Sequence, residues 1–214
     1  ELIFAGRIKV NGKIADSPGI QISETDKVTF DGRTVKAQKI KHYLMLNKPI
    51  GFVCTAEPQL GQKSILTLFE NYKERLFTVG RLDKDTKGLI LVTNDGDFAN
   101  RIIHPSFSIQ KEYLAKVAQE ITDDHLKTLM KGIELEGSLL KPLRVTKVRK
   151  GTLKVVVMEG KKREVREMIR QAGLKLFELT RIRIGSIHLG TLNEGHYRDL
   201  TENEINSFMK DSHG

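Results

Sequence analysis

Residues 80–96 read GRLDKDTKGLILVTNDG and fuse a short polar loop to an apolar run, Leu89-Ile90-Leu91-Val92. A run of that kind, closed by the turn signal Asn94-Asp95-Gly96, reads as a strand. Residues 76–79, Leu-Phe-Thr-Val, read as a second strand ahead of the loop. Between them, Asp83 stands among the cations Arg81, Lys84 and Lys87. The fold must therefore hold a polar loop at a strand end, which is how a rigid scaffold mounts a reactive carboxylate.

The partner of such a loop is indicated by charge. Lys plus Arg number 36 against 27 for Asp plus Glu, a net charge of +9, which favours a polyanion. With 39% hydrophobic and 29% charged residues in 214, the chain is expected to bury a core, as one sizeable domain or two smaller ones. The lone cysteine, Cys54, excludes an internal disulfide framework, and no His or Cys cluster has metal-ligand spacing, so neither metal nor cofactor is expected. A reducing, cytoplasmic setting fits. No apolar run approaches the roughly 20 residues of a membrane span, and no signal peptide is evident. The chain opens on Glu rather than Met, which suits a segment of a longer protein.

Two hairpin signals mark the N-terminal stretch: Asn11-Gly12 between Ile8-Lys9-Val10 and Lys13-Ile14, and Asp31-Gly32 between Val28-Thr29-Phe30 and Arg33-Thr34-Val35. They predict a small basic β unit over 1–36, followed by a polar connector at 37–42 and a main domain over 43–214. In the main domain a strand from Tyr43 should stop at Asn47-Lys48-Pro49, because proline withdraws a backbone donor. Helical spacing of Ile65, Leu68 and Phe69 predicts a helix over 64–74, and Asp97 is expected to cap a short helix that Pro105 ends. Tyr113, Ala115 and Val117 alternate along a strand over 110–117, and on periodicity alone Tyr113 is a half-buried strand aromatic.

A helix over 123–131 follows, capped by Thr122 and closed by Gly132, with Leu126, Leu129 and Met130 inward. Then comes a hairpin broken at Lys150-Gly151. The helix predicted over 161–172 has Val165, Met168, Ile169 and Ala172 on one face and Arg163, Arg166 and Arg170 on another. Arg163 is expected to balance Glu167 at i, i+4, leaving Arg166 for a site. The strand over 174–184 should put Arg181 and Arg183 on one face as a phosphate-contact stripe, and Thr201 with Glu204 forms a capping box for a closing helix. Hairpins alternating with few helices predict an α+β fold, a mixed and largely antiparallel sheet with flanking helices.

The wording of these stretches resembles the RsuA-type bacterial ribosomal RNA pseudouridine synthases, the family that also contains RluB, RluE and RluF. The resemblance runs through GRLD, LNKPIGFV at 46–53, KEYLAKV at 111–117, EGKKREVREM at 159–168 and the basic strand near Arg181, in the family's order. It implies a catalytic domain of two halves with a central cleft. It also implies Asp83 as the catalytic aspartate, Tyr113 as the base-stacking tyrosine, Arg166 as the arginine set against the aspartate, and Leu179 as a base-pocket residue. GRIKVNGK at 6–13 resembles the second half of an S4 RNA-binding domain without the helices that precede it there. Lys9 and Lys13 of that run, together with Lys48, Arg81, Lys84, Arg163, Arg170, Arg181 and Arg183, are the expected RNA contacts. Glu164 and Glu167 replace residues that are often neutral or basic in the family, so weaker RNA affinity is expected of this helix.

Turning uridine into pseudouridine breaks the N1–C1′ bond and makes a C5–C1′ bond with no redox change and no outside group. It needs an ionised carboxylate, and an arginine beside Asp83 favours that form. Whether the carboxylate attacks C1′ or removes the C2′ proton, both schemes fit. The implied partner is ribosomal RNA or a subunit assembly intermediate, acted on by a monomer away from membranes. The rival is a non-catalytic RNA-binding or assembly factor, which would gain nothing from a carboxylate in an electropositive loop.

Overall fold

The computed structural model describes residues 1–23, 25–35, 40–135, 137–158 and 160–209. The chain divides into two compact units, Glu1–Ile40 and Lys41–Gly214. The expected connector at 37–42 lies partly outside the described residues, as does Glu159 of the EGKKREVREM run.

The first unit contains β1 (Ile8–Val10), β2 (Lys13–Ile14), β3 (Val28–Phe30) and β4 (Arg33–Thr34), in the order β2-β1-β3-β4. Both hairpins turn where the sequence says. Asn11 and Gly12 take φ of 50° and 83°, and Asp31 and Gly32 take 48° and 79°. Positive φ at both central residues matches the right-handed strand twist, and Asn, Asp and Gly tolerate it best. Arg7 lies over the Phe30 ring and donates to Asp31 at 3.1 Å, so it is engaged within the unit. Lys9 and Lys13 are exposed.

The second unit begins with β5 (Tyr43–Lys48), the short parallel pair β6 (Phe52–Val53) and β7 (Lys63–Ser64), β8 (Phe77–Val79) and β9 (Lys87–Thr93). It continues through α1 (Gly96–Ile103), β10 (Lys111–Val117), α2 (Asp123–Lys131), β11 (Ile133–Leu135), β12 (Ser138–Leu140), β13 (Arg144–Arg149) and β14 (Thr152–Val157). It ends with α3 (Glu164–Gln171), β15 (Leu176–Ile184), β16 (Ile187–His188), β17 (Tyr197–Asp199) and α4 (Glu202–Met209). The main sheet runs β13-β14-β10-β15-β9-β5-β17, with β16 on β15 and β8 on β9. Its described pairs are antiparallel except β15 with β9.

The unbroken apolar run of β9 is explained by burial on both faces. Ile90 and Val92 share a core with Leu44, Leu46, Ala115, Leu153 and the α3 residues Val165, Met168 and Ile169. Leu89 and Leu91 face a second core with Met45, Phe98 and Ile102 of α1 and Phe208 of α4. Period-2 alternation thus sends one strand into two cores, and the loop before it is held at the sheet's rim. Gly88 allows this. A Cβ there would stand 2.7 Å from the Arg181 amide nitrogen and closer still to its carbonyl oxygen, so glycine is required where β9 meets β15.

Several local expectations shift. The 64–74 helix is a 3-10 turn, Ile65–Phe69, capped by Ser64. Asp95, not Asp97, caps α1, accepting from the amides of Asp97 at 3.1 Å and Phe98 at 3.4 Å. Met130 of α2 is 42% exposed rather than inward. The helix α3 starts at Glu164, because Arg163 takes the left-handed φ of 59° and Glu164 turns back to accept from the Lys161 amide at 3.2 Å. The Arg181 and Arg183 stripe does not form. A bulge sets Arg183 opposite Glu112 but Arg181 opposite the adjacent Tyr113, which sends the two arginines to opposite faces.

Candidate active site

The loop bearing Asp83 lies between β8 and β9, and its backbone is held from beneath. Lys48, at the end of β5, is 0% exposed and donates to the carbonyls of Pro49 at 3.0 Å, Asp83 at 3.1 Å and Thr86 at 2.8 Å. An ammonium has three donors, and all are used. The expected phosphate contact at Lys48 is therefore replaced by an internal clamp. Burial pushes its ammonium below the ordinary lysine value, against the pull of the Asp85 and Asp83 carboxylates. On the other side, the Leu82 amide and carbonyl meet the Cys54 Sγ, each at 3.4 Å, and Gly51 donates to the Lys84 carbonyl at 2.8 Å. Burial pushes the Cys54 thiol up, so it stays protonated and serves as a small polar wedge.

Above the loop, α3 presents two guanidinium groups. Arg166 Nε lies 3.7 Å from Asp83 Oδ2, and Arg166 Nη1 lies 3.0 Å from Asp85 Oδ2. Arg166 also donates to the Thr86 hydroxyl at 3.2 and 2.9 Å and to the Asp85 carbonyl at 2.7 Å. Burial lowers the Arg166 pKa, opposed mainly by Asp85 and then Asp83, and it remains charged. Arg163 Nη1 lies 3.9 Å from Asp83 and 3.7 Å from Asp85. The expected Arg163 to Glu167 pair is thus replaced: Glu167 takes Arg170 at 2.8 Å, and the left-handed turn at Arg163 sends its side chain to the loop. Asp83 Oδ2 thus lies within 4 Å of both guanidinium groups.

A cavity of about 280 Å³ opens here, lined among others by Asp83, Arg166, Tyr113, Leu179 and Thr86. Tyr113 and Leu179 are both buried, on neighbouring strands, where β10 and β15 pair. The site thus combines a carboxylate, its counter-ions, a flat ring and an apolar wall within one pocket. Arg181 is the surprise: only 3% exposed, it donates to the Leu89 carbonyl at 2.7 Å and approaches the Arg81 carbonyl at 3.4 Å and the Tyr113 hydroxyl at 3.5 Å. Its Nη2 has no partner among the described residues, which ordinarily costs about 1–3 kcal/mol. Arg183 is committed to Glu112 at 3.0 Å and the Gly185 carbonyl at 2.7 Å. Neither arginine forms the expected phosphate stripe.

Of the other expected contacts, Arg81 and Lys84 are exposed on the Asp83 loop, Arg81 lining the cavity, while Arg170 is exposed but bound to Glu167. Sequence reasoning missed Thr86 and Asp85 as partners of Arg166, and Cys54 as a brace. The signal for Thr86 and Asp85 was their place in the same loop as Asp83; Cys54 had none, since its partner is 28 positions away. Among the described residues no cluster could hold a metal ion.

The sequence model of the RNA pseudouridylate synthase family matches residues 42–171, and that of the S4 domain matches 1–38. An "uncharacterized RNA pseudouridine synthase" of Aquifex aeolicus is 41% identical over 98% of this chain and 86% of that protein. The "ribosomal large subunit pseudouridine synthase B" of Bacillus subtilis is 34% identical over 96% of this chain and 86% of that protein. A solved structure described as a pseudouridylate synthase superposes with a TM-score of 0.75 at 32% identity, over 97% of this chain and 90% of that one.

Proposed function

Because this chain belongs to the RNA pseudouridylate synthase family, we propose that it isomerises a specific uridine of ribosomal RNA, with Asp83 as its catalytic carboxylate and no cofactor. The chain is a pseudouridine synthase, and a relative named as a ribosomal large subunit pseudouridine synthase supports the ribosomal substrate. The observation that carries the role of Asp83 is its setting: one carboxylate oxygen faces both Arg166 and Arg163, inside a cavity that also holds Tyr113 and Leu179.

The geometry supports the following sequence. The target uridine leaves its stack, which costs a few kcal/mol and least in an unpaired loop. The base then lies against Tyr113, and stacking of a base on an aromatic ring offsets about 1–3 kcal/mol. Leu179 closes the pocket with apolar surface, excluding water from the sugar. Two guanidinium groups within ion-pair reach of Asp83 orient its carboxylate toward the sugar. The carboxylate either bonds to C1′ or takes the C2′ proton, and in both schemes the N1–C1′ bond breaks with N1 leaving on the base. The freed base turns in the pocket and C5 bonds to C1′ as the Asp83–C1′ bond breaks or, in the second scheme, as Asp83 returns the proton to C2′; the C5 proton is then lost while N1 gains one. The N-terminal unit, which matches the S4 domain, docks the RNA through exposed Lys9 and Lys13, and Arg81 and Lys84 contact the strand at the rim.

The test compares the native chain with Asp83→Asn on ribosomal RNA from cells lacking the enzyme, mapping pseudouridine by carbodiimide-dependent reverse-transcription stops. A new stop made by the native protein and absent with Asp83→Asn, although both bind, is expected. Equal stops from both proteins would remove Asp83 from the chemistry.

A further inference from the structure

Asp85 is the acid of the Asp83 loop that the reaction above does not use. Its side chain is half exposed and lies outside the cavity of Tyr113 and Leu179, lining instead a neighbouring hollow with Ile50, Gly51, Lys84 and Lys162. It is therefore not a second acid at the sugar. Yet it takes the shorter carboxylate contact of Arg166, whose Nη1 stands 3.0 Å from Asp85 Oδ2 while its Nε stands 3.7 Å from Asp83 Oδ2.

The hydrogens of Arg166 explain why the contact with Asp83 stays long. A guanidinium Nε carries a single hydrogen, and that of Arg166 goes to the Thr86 hydroxyl at 3.2 Å. Its Nη2 donates to the same hydroxyl at 2.9 Å and to the Asp85 carbonyl at 2.7 Å. Thr86 is only 2% exposed, its amide donates to the Asp83 carbonyl at 3.1 Å, and its carbonyl accepts from Lys48 at 2.8 Å, so the hydroxyl has a fixed place. At 3.7 Å a guanidinium acts on a carboxylate as a charge without donating a hydrogen bond. Arg163 is set in the same way, 3.7 Å from Asp85 and 3.9 Å from Asp83.

That distance matters in either chemical scheme. A carboxylate that bonds to C1′ or takes the C2′ proton needs an open lone pair, and a short charge-assisted hydrogen bond from an arginine would first have to lengthen. We propose that Asp85 is a positioning residue: it takes the short contact with Arg166 and so holds that guanidinium within charge range of Asp83 but out of hydrogen-bond range. The inference rests on the reading of Asp83 as the catalytic carboxylate of an RNA-modifying enzyme. It also gives a use to an acid that, at the half-exposed edge of a basic loop, repels phosphate.

The test measures kcat and KM of the full chain and its Asp85→Ala and Asp85→Asn variants on RNA carrying the mapped target uridine, with the folded fraction of each checked by thermal melting. Asp85→Ala is expected to lose about 10- to 100-fold in kcat, the rate equivalent of one hydrogen bond between charged groups. Its KM should stay the same or fall, because a charge that repels phosphate has gone. Asp85→Asn keeps an oxygen acceptor for Arg166 in the same place, so it should recover part of the lost kcat with the KM of Asp85→Ala. In an Arg166→Ala background no guanidinium of that residue remains to be held off, and Asp85→Ala should cost less than about twofold more. Native kcat in Asp85→Ala, equal losses in the Ala and Asn variants, or a full additional loss in the Arg166→Ala background would overturn the positioning role. A raised KM with unchanged kcat would make Asp85 an RNA contact and overturn it as well. A native chain that makes no pseudouridine on any ribosomal RNA overturns the enzymatic reading and this one with it, whereas native turnover that is indifferent to Asp85→Ala removes the positioning role alone.

Discussion

The cations of the N-terminal unit and those around Asp83 come from the same basic composition but do opposite work. Lys9 and Lys13 stand exposed on short hairpin strands, with water for company. Lys48, Arg166 and Arg181 are turned inward, onto loop carbonyls, loop carboxylates and a strand carbonyl. A net charge of +9 therefore counts two populations together. One can meet phosphates and is sensitive to salt; the other builds the site and is shielded from salt by burial.

The sharpest way to break that distinction is Arg166→Ala. If Arg166 is part of the site rather than an RNA contact, kcat should fall by about 10²–10³, the scale of removing one preorganised charge, while RNA affinity changes little. Equal losses in kcat and binding would place it with the phosphate contacts. Lys48→Met comes next. It leaves three carbonyls, that of Thr86 in a buried bond, short of a donor, so a stability loss of about 1–3 kcal/mol and a drop in kcat with nearly unchanged KM are expected. A rise in KM alone, relieved by low salt, would return Lys48 to the RNA surface.

Smaller effects are expected from the exposed group. Lys9→Ala with Lys13→Ala should raise KM and flatten the dependence of log affinity on log salt by about 1 to 2 units, since each phosphate contact contributes slightly less than one. An unchanged slope would take the N-terminal unit out of RNA docking. The smallest effect belongs to a pair in neither group, Arg198 with Glu204, joined at 2.8 and 2.7 Å. Hydrogen bonds from Arg198 pull the Glu204 pKa to about 2 from 4.5. A carboxylate with a lowered folded pKa stabilises above its unfolded value and loses that contribution as pH falls through the folded one. Between pH 4.5 and 2, then, the native chain should lose more thermal stability than Glu204→Gln, by a modest margin because Arg198 is 38% exposed. Parallel acid profiles for the two would refute the pair's contribution.

Local features were legible because their causes are local. Asn11-Gly12 and Asp31-Gly32 specify their own turns, Thr122 and Gly132 bound α2 as expected, and the apolar face of α3 is buried residue by residue. The pairing of Arg166 with Asp83 across 83 positions was legible only through resemblance, since helix spacing offered a partner, Glu167, for Arg163 alone.

What the sequence determined by itself is the set of elements, the α+β class and the loop that carries Asp83, because hydrophobic period, turn chemistry and caps act within a few residues. What only the tertiary structure decided is the job of each cation. Lys48 became a clamp because β5 runs beneath the Asp83 loop, and Arg163 became a site residue because a left-handed turn opens α3. Arg181 became a buried donor because one bulge in β15 reversed its face relative to Arg183. A lysine or arginine has the same spelling exposed or buried; the strands packed around it decide whether its donors meet water, carbonyls or a ligand.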